Sequence, residues 1–163
     1  MPRFVLVDGD ISILTRAFNA LREGSGTVIE NQASVEGFIE AWRKSPSAFA
    51  SPGGFVAVAG TNLVLAQFEA GPVDAAFAED LKVLLPELLK AWELPVIRAA
   101  TIGEKADRLL TLAGMKRDGV LRKLSADAAG MLLDVSMWSL TKEDLELKEE
   151  LPLKPRKLKA AGE

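Results

Sequence analysis

Gly114-Met115-Lys116-Arg117-Asp118-Gly119-Val120-Leu121-Arg122, followed by Asp134-Val135-Ser136-Met137-Trp138-Ser139-Leu140, is the stretch from which the fold is read. Gly119 to Leu124 reads as a strand, Ala126-Asp127-Ala128-Ala129-Gly130 as a turn, and Met131 to Leu140 as a closing strand. Val120, Arg122 and Leu124 alternate on one side and Leu133, Val135 and Met137 on the other, the pattern of two antiparallel strands with opposite faces. Upstream of Gly114, Ala106, Leu109, Leu110 and Leu112 recur at helical spacing, so Glu104 to Ala113 is expected to be a helix. The apolar run Pro95 to Ala100 before it is expected to be a strand.

Toward the N-terminus the same reading continues. Phe4 to Val7 is a short strand, Asp8-Gly9-Asp10 a turn, and Asp10 the N-cap of a helix that carries Ile11, Leu14, Phe18 and Leu21 on one face. Gly24 and Gly26 end that helix, and Thr27-Val28-Ile29-Glu30 is a brief strand or an extended link. A second helix is expected over Ser34 to Lys44. Ser45-Pro46-Ser47 and Ser51-Pro52-Gly53-Gly54 then break the chain. Phe55 to Ala59 and Leu63 to Phe68 form a hairpin through Gly60-Thr61-Asn62. Asp74 caps a long helix with Phe77, Leu81, Leu84, Leu85, Leu88, Leu89 and Trp92 in its pattern. Pro86 within it removes a backbone donor and predicts a kink or a split.

The length of 163 residues favours one domain, placed over residues 1–150, with a basic tail over 151–163 that holds Lys154, Arg156, Lys157 and Lys159. There is no Cys, no His and no Tyr. That removes disulfides, thiolate and imidazole metal ligands, histidine triads and phenolic acids, so no metal is expected and carboxylates, amines, hydroxyls and backbone amides must carry any chemistry. A net charge of −3 gives no strong nucleic-acid signal. No run of about 18 apolar residues exists, so no membrane span is predicted.

The element order, the run from Gly114 to Arg122 and the closing strand Asp134 to Leu140 together resemble the GNAT superfamily of acyl-coenzyme A acyltransferases, in particular its ribosomal-protein acetyltransferases and as a phage-encoded, degenerate member. The fold the resemblance implies is α/β (α+β), with a mixed, mostly antiparallel central sheet flanked by helices. In that family two neighbouring strands splay apart and the pantetheine arm of acetyl-CoA adds to the exposed edge. The pyrophosphate then sits on backbone N–H groups where the fourth strand turns into the long helix. The matching loop here is Gln67-Phe68-Glu69-Ala70-Gly71-Pro72-Val73-Asp74. The family's Asn lies eleven positions before the Gly of Gly114-Met115, which falls on Gly103, and the position of its acidic Tyr falls on Leu110.

The resemblance implies Gln67, Phe68, Ala70, Gly71, Val73, Gly103 and Arg108 as cofactor-binding residues, with Arg98 and Lys105 as further cations near the phosphates. It implies Glu69, or else Glu30, as a base. Pro72 has no N–H to offer, and Glu69 and Asp74 set negative charge beside an anionic ligand. Two functions follow from the resemblance. One is an acetyl-CoA-dependent N-acyltransferase in which an amine attacks the thioester directly, helped by amides near Phe68 to Ala70. The other is a catalytically inactive GNAT-fold binding or structural module, such as a phage virion or assembly protein. The expected partners are acyl-CoA and an amine acceptor, or a second copy or virion component at an edge strand near Trp138. The expected location is the cytoplasm or, alternatively, the virion.

Overall fold

The computed structural model describes residues 4–28, 34–126 and 129–146. Ile29, Glu30, Asp127, Ala128 and the tail 151–163 lie outside the described residues, as does the expectation that Glu30 is a base.

Eleven elements follow one another among the described residues: β1 (Val5–Leu6), α1 (Ile11–Arg22), α2 (Val35–Trp42), β2 (Ala48–Ser51), β3 (Gly54–Ala59), β4 (Asn62–Gln67), α3 (Ala75–Ala91), β5 (Val96–Thr101), α4 (Glu104–Leu112), β6 (Lys116–Ala126) and β7 (Leu132–Thr141). The seven strands form one sheet in the order β1-β2-β3-β4-β5-β7-β6. Every neighbouring pair is antiparallel except β4 and β5, which run parallel. This is the mixed, mostly antiparallel sheet expected from the sequence.

The helices cover both faces, which is why Phe55-Val56-Ala57-Val58 does not alternate with polar residues. Val56, Val58, Leu63 and Leu65 pack with Phe77, Leu81, Leu85 and Leu89 of α3, Leu109 and Leu110 of α4, and Trp138. Phe55, Ala57 and Ala66 pack on the opposite side with Leu14, Ala17 and Leu21 of α1. Each large side chain so buried contributes roughly 1.5–3 kcal/mol. Asp10 and Ser34 cap α1 and α2, accepting from the N–H groups of Ile13 and Gly37. No described helix is long and apolar enough to cross a membrane.

The structure adds to the sequence reading. Ala48–Ser51, of which the sequence reads only Ser51, as part of a break, is a strand that pairs with both β1 and β3. Four residues between Pro46 and Pro52 are too short for a periodicity to register, and only their partners make them a strand. Of the kink or split expected at Pro86, the split does not occur: α3 runs unbroken from Ala75 to Ala91. The carbonyl deprived of its donor belongs to Lys82, which is exposed, so water is able to satisfy it. Trp138 itself is buried on β7, between β5 and β6; the edge strand near it is β6, where Arg117 pairs with Trp138.

Candidate functional site

The one parallel contact in the sheet is also its weakest. β4 and β5 share a single ladder pair, Asn62 with Arg98, where the Arg98 N–H donates to Thr61 O at 2.7 Å. Beyond it the facing edges of the two strands do not bond to each other. The segment that follows α1 bonds to both.

The end of α1 aims that segment. Gly24, with φ of 81°, closes the helix in a left-handed turn: its N–H donates to Leu21 O and the Ser25 N–H donates back to Ala20 O at 2.9 Å. The chain then enters the gap. On the β4 side, Ser25 O accepts from the Gln67 N–H at 2.9 Å and the Thr27 N–H donates to Leu65 O at 3.0 Å. Thr27 Oγ1 accepts from the Leu65 N–H at 3.1 Å. On the β5 side, the Val28 N–H donates to Ala100 O at 2.8 Å, and Thr27 bridges Thr101. Lys105 Nζ, from α4, donates to Ser25 Oγ at 2.9 Å. Ser25, Gly26 and Thr27 are all buried. A Cβ built on Gly26 would collide with the carbonyl oxygen of Leu65, so only glycine lets the backbone come this close. The segment carries no large apolar side chain into the gap. Its hydrogen bonds hold it, each worth about 0.5–1.5 kcal/mol net.

The loop from β4 into α3 is braced from within by the Gln67 side chain. Gln67 is fully buried. Its Nε2 donates to Glu69 O and Pro72 O, both at 3.0 Å, and its Oε1 accepts from the Asp74 N–H at 2.7 Å. Asp74 Oδ1 accepts from the N–H groups of Ala76 and Phe77 in the first turn of α3. The Phe68 N–H donates to Gly53 O at 3.0 Å. The Arg16 guanidinium stacks over the Phe68 ring, 4.2 Å from its centroid, and lies 3.8 Å from the Glu69 carboxylate. Ala70, Gly71 and Pro72 are exposed, and Val73 packs half-buried against the core.

No protein-family model matches the sequence, and no curated protein matches it. Solved structures match its shape. The ribosomal-protein-S5-alanine acetyltransferase of Vibrio fischeri superposes with a TM-score of 0.63 at 17% identity, over 86% of this chain and 93% of that one. YncA of Salmonella typhimurium, whose structure holds its cofactor acetyl-CoA, gives 0.67 at 13% identity over 85% and 92%. A GNAT-family acetyltransferase of Bacillus anthracis gives 0.57 at 16% identity over 86% and 93%. The fold is that of the GNAT acetyltransferases.

In GNAT terms, the residues the sequence nominated are only partly brought together. Gln67, Phe68, Ala70, Gly71 and Val73 form one loop, with Glu69 at its surface turned to Arg16. Gly103 occupies the N-cap position of α4 with φ of 96° and offers no side-chain cap. Arg108 lies exposed on α4, and Arg98 is exposed on β5. Lys105 is engaged with Ser25. Leu110, at the place of the family's Tyr, is buried in the core. Beside the gap, Trp138 Nε1 donates to Thr101 Oγ1 at 2.8 Å, and Thr101 donates to Asp107 Oδ1 at 2.6 Å. Ser136 Oγ at 3.4 Å and Arg117 at 3.8 Å complete the surroundings of that carboxylate.

Sequence reasoning placed Gly26 at the end of α1 and Thr27 in a brief strand or extended link, and gave Ser25, Gly26 and Thr27 no part in a site. One signal was available: Gly24 by itself ends α1, which leaves Gly26 without a helical reason. The residues present do not fit a pantetheine arm on this edge, because the N–H groups of Leu65 and Gln67 and the carbonyl of Leu65 already have partners within the chain.

Proposed function

We propose that this chain is a GNAT-fold binding or assembly module and not an acetyl-CoA-dependent N-acyltransferase. The observation that carries the reading is Ser25–Val28 hydrogen-bonded to both strands of the gap in which the fold's acyl carrier would lie. The loop residues support it. The N–H groups of Asp74, Ala76 and Phe77 are taken by Gln67 and Asp74, so a phosphate reaching for these three would have to break bonds already made. A role in an assembly, a virion included, agrees with a protein whose cleft is filled by its own backbone.

Titration with acetyl-CoA tests this. No saturable heat and no rise in unfolding temperature are expected at millimolar ligand. A ligand at a hundred times its dissociation constant adds about 2.7 kcal/mol of stability. A shift of that order, together with acetyl transfer to an amine, would establish the acyltransferase instead.

A further inference from the structure

β6 is the longest strand, 11 residues, and among the described residues it ends the sheet, so one of its two edges has no strand against it. Every residue from Lys116 to Lys123 is exposed. The middle of that run is regular: Gly119, Val120 and Leu121 pair in step with Met137, Ser136 and Val135 of β7. Register shifts bound it on both sides, between Arg117 and Gly119 and between Leu121 and Ser125. Within the second, Lys123 has φ of 55° and donates its N–H to Asp134 Oδ1 at 3.0 Å. Such irregularities blunt an edge where they fall and leave the stretch between them open. Val120 and Leu121 stand there on opposite faces, 44% and 46% exposed. Lys116 and Arg117 flank them on one side and Arg122 and Lys123 on the other, with Asp118 the one carboxylate in the run. Arg117 also lies 3.8 Å from Asp107.

The charges say what this edge accepts. A second copy laid antiparallel about Val120 would set Asp118 against Arg122. It would also set Arg117 against Lys123, and bring together two strands that each carry four cations and one carboxylate over Lys116 to Lys123. Like charges across a strand pair destabilise it. A nucleic acid would meet the cations but has no backbone to complete a strand ladder. An extended segment with apolar residues at its centre and carboxylates at both ends meets all three features. Its backbone completes the ladder, its apolar side chains cover Val120 and Leu121, and its carboxylates face the two cation pairs.

We propose that the open edge of β6 at Gly119–Leu121 is a docking site for an extended acidic segment of a partner protein, added to the sheet as a further strand. β5 and β7 separate this edge from β4, so the proposal stands whether or not the gap between β4 and β5 takes an acyl carrier.

The test titrates the isotope-labelled protein with the end-blocked peptide Glu-Glu-Val-Thr-Val-Glu-Glu while its backbone amide resonances are followed. Saturable shifts are expected at Gly119, Val120 and Leu121, and none at Leu65 or Gln67. Two further peptides separate the contributions. The same peptide N-methylated at its Thr and its second Val should bind about tenfold more weakly, because successive N–H groups of a strand face opposite edges and one of the two must point at β6. Lys-Lys-Val-Thr-Val-Lys-Lys should not bind. Arg122→Glu together with Lys123→Glu, both exposed positions, should weaken the first peptide about tenfold. The peptide series uses the unaltered protein, so it decides the matter even if that variant does not fold. No saturable shift at millimolar peptide, or equal action of the methylated or the lysine peptide, would overturn the proposal. The same shifts on concentrating the protein alone would assign the edge to a second copy and overturn it too. So would stronger shifts with a single-stranded oligothymidylate, which would assign the edge to nucleic acid.

Discussion

Thr27 and Leu65 exchange two hydrogen bonds across the gap in the sheet: the Thr27 N–H donates to Leu65 O, and Thr27 Oγ1 accepts from the Leu65 N–H. The pair does the work of a rung in a ladder that β4 and β5 do not make with each other. It converts the open edge of a GNAT sheet into a closed one.

Thr27→Val should cost about 1–3 kcal/mol, because it leaves a buried backbone donor without an acceptor while keeping the volume. Thr27→Ser should retain most of the wild-type stability. Urea denaturation of the three proteins checks this, and equal midpoints for all three would mean that the hydroxyl is not used.

Gly26→Ala should destabilise by about 1–3 kcal/mol, since the added methyl meets a backbone carbonyl with no flexible end to yield. Amide exchange resolves the effect by residue. Leu65 and Gln67 should lose protection, whereas amides in the middle of α3 should change only by the global loss of stability.

Gln67 separates two kinds of damage. Gln67→Leu removes a donor to two carbonyls and an acceptor for Asp74, for a loss of about 1–3 kcal/mol. Gln67→Glu keeps the acceptor but points a carboxylate oxygen at the carbonyls of Glu69 and Pro72. A buried charge without a counterion costs about 3–5 kcal/mol, so the glutamate should be the worse of the two. Thermal unfolding of both variants gives the order.

Thr101→Val should leave the Trp138 indole N–H without its partner inside the core, at about 1–3 kcal/mol. Adding Trp138→Phe to that variant should cost less than it does in the wild type, because the orphaned donor is gone. The double-mutant cycle measures this coupling.

Glu93→Gly should stabilise the protein by about 1 kcal/mol. Glu93 closes α3 with φ of 49°, a left-handed conformation that L side chains resist, and it is exposed, so little packing is lost. The unfolding temperature should rise by about 2–4 °C. An unchanged or lowered value would mean that the glutamate side chain makes a contact outweighing the strain.

Local chemistry made much of this protein legible. The alternation on either side of residues 126–130 gave the β6–β7 hairpin, Asp74 and the leucines after it gave α3, and the lack of Cys, His and Tyr narrowed the chemistry before any fold was known. Those signals lie within one element or between neighbours in the chain. Tertiary structure alone decided that Ala48–Ser51 is a strand, since four residues become one only when β1 and β3 lie alongside. It also decided what fills the gap. Ser25-Gly26-Thr27 has no periodicity and little apolar surface, and its partners stand far off in sequence: Leu65 is 38 residues from Thr27, and Lys105 is 80 from Ser25. A backbone hydrogen bond leaves no trace in residue type, so the closing of the cleft was written in the sequence only as a glycine whose reason appears when Leu65 is placed against it.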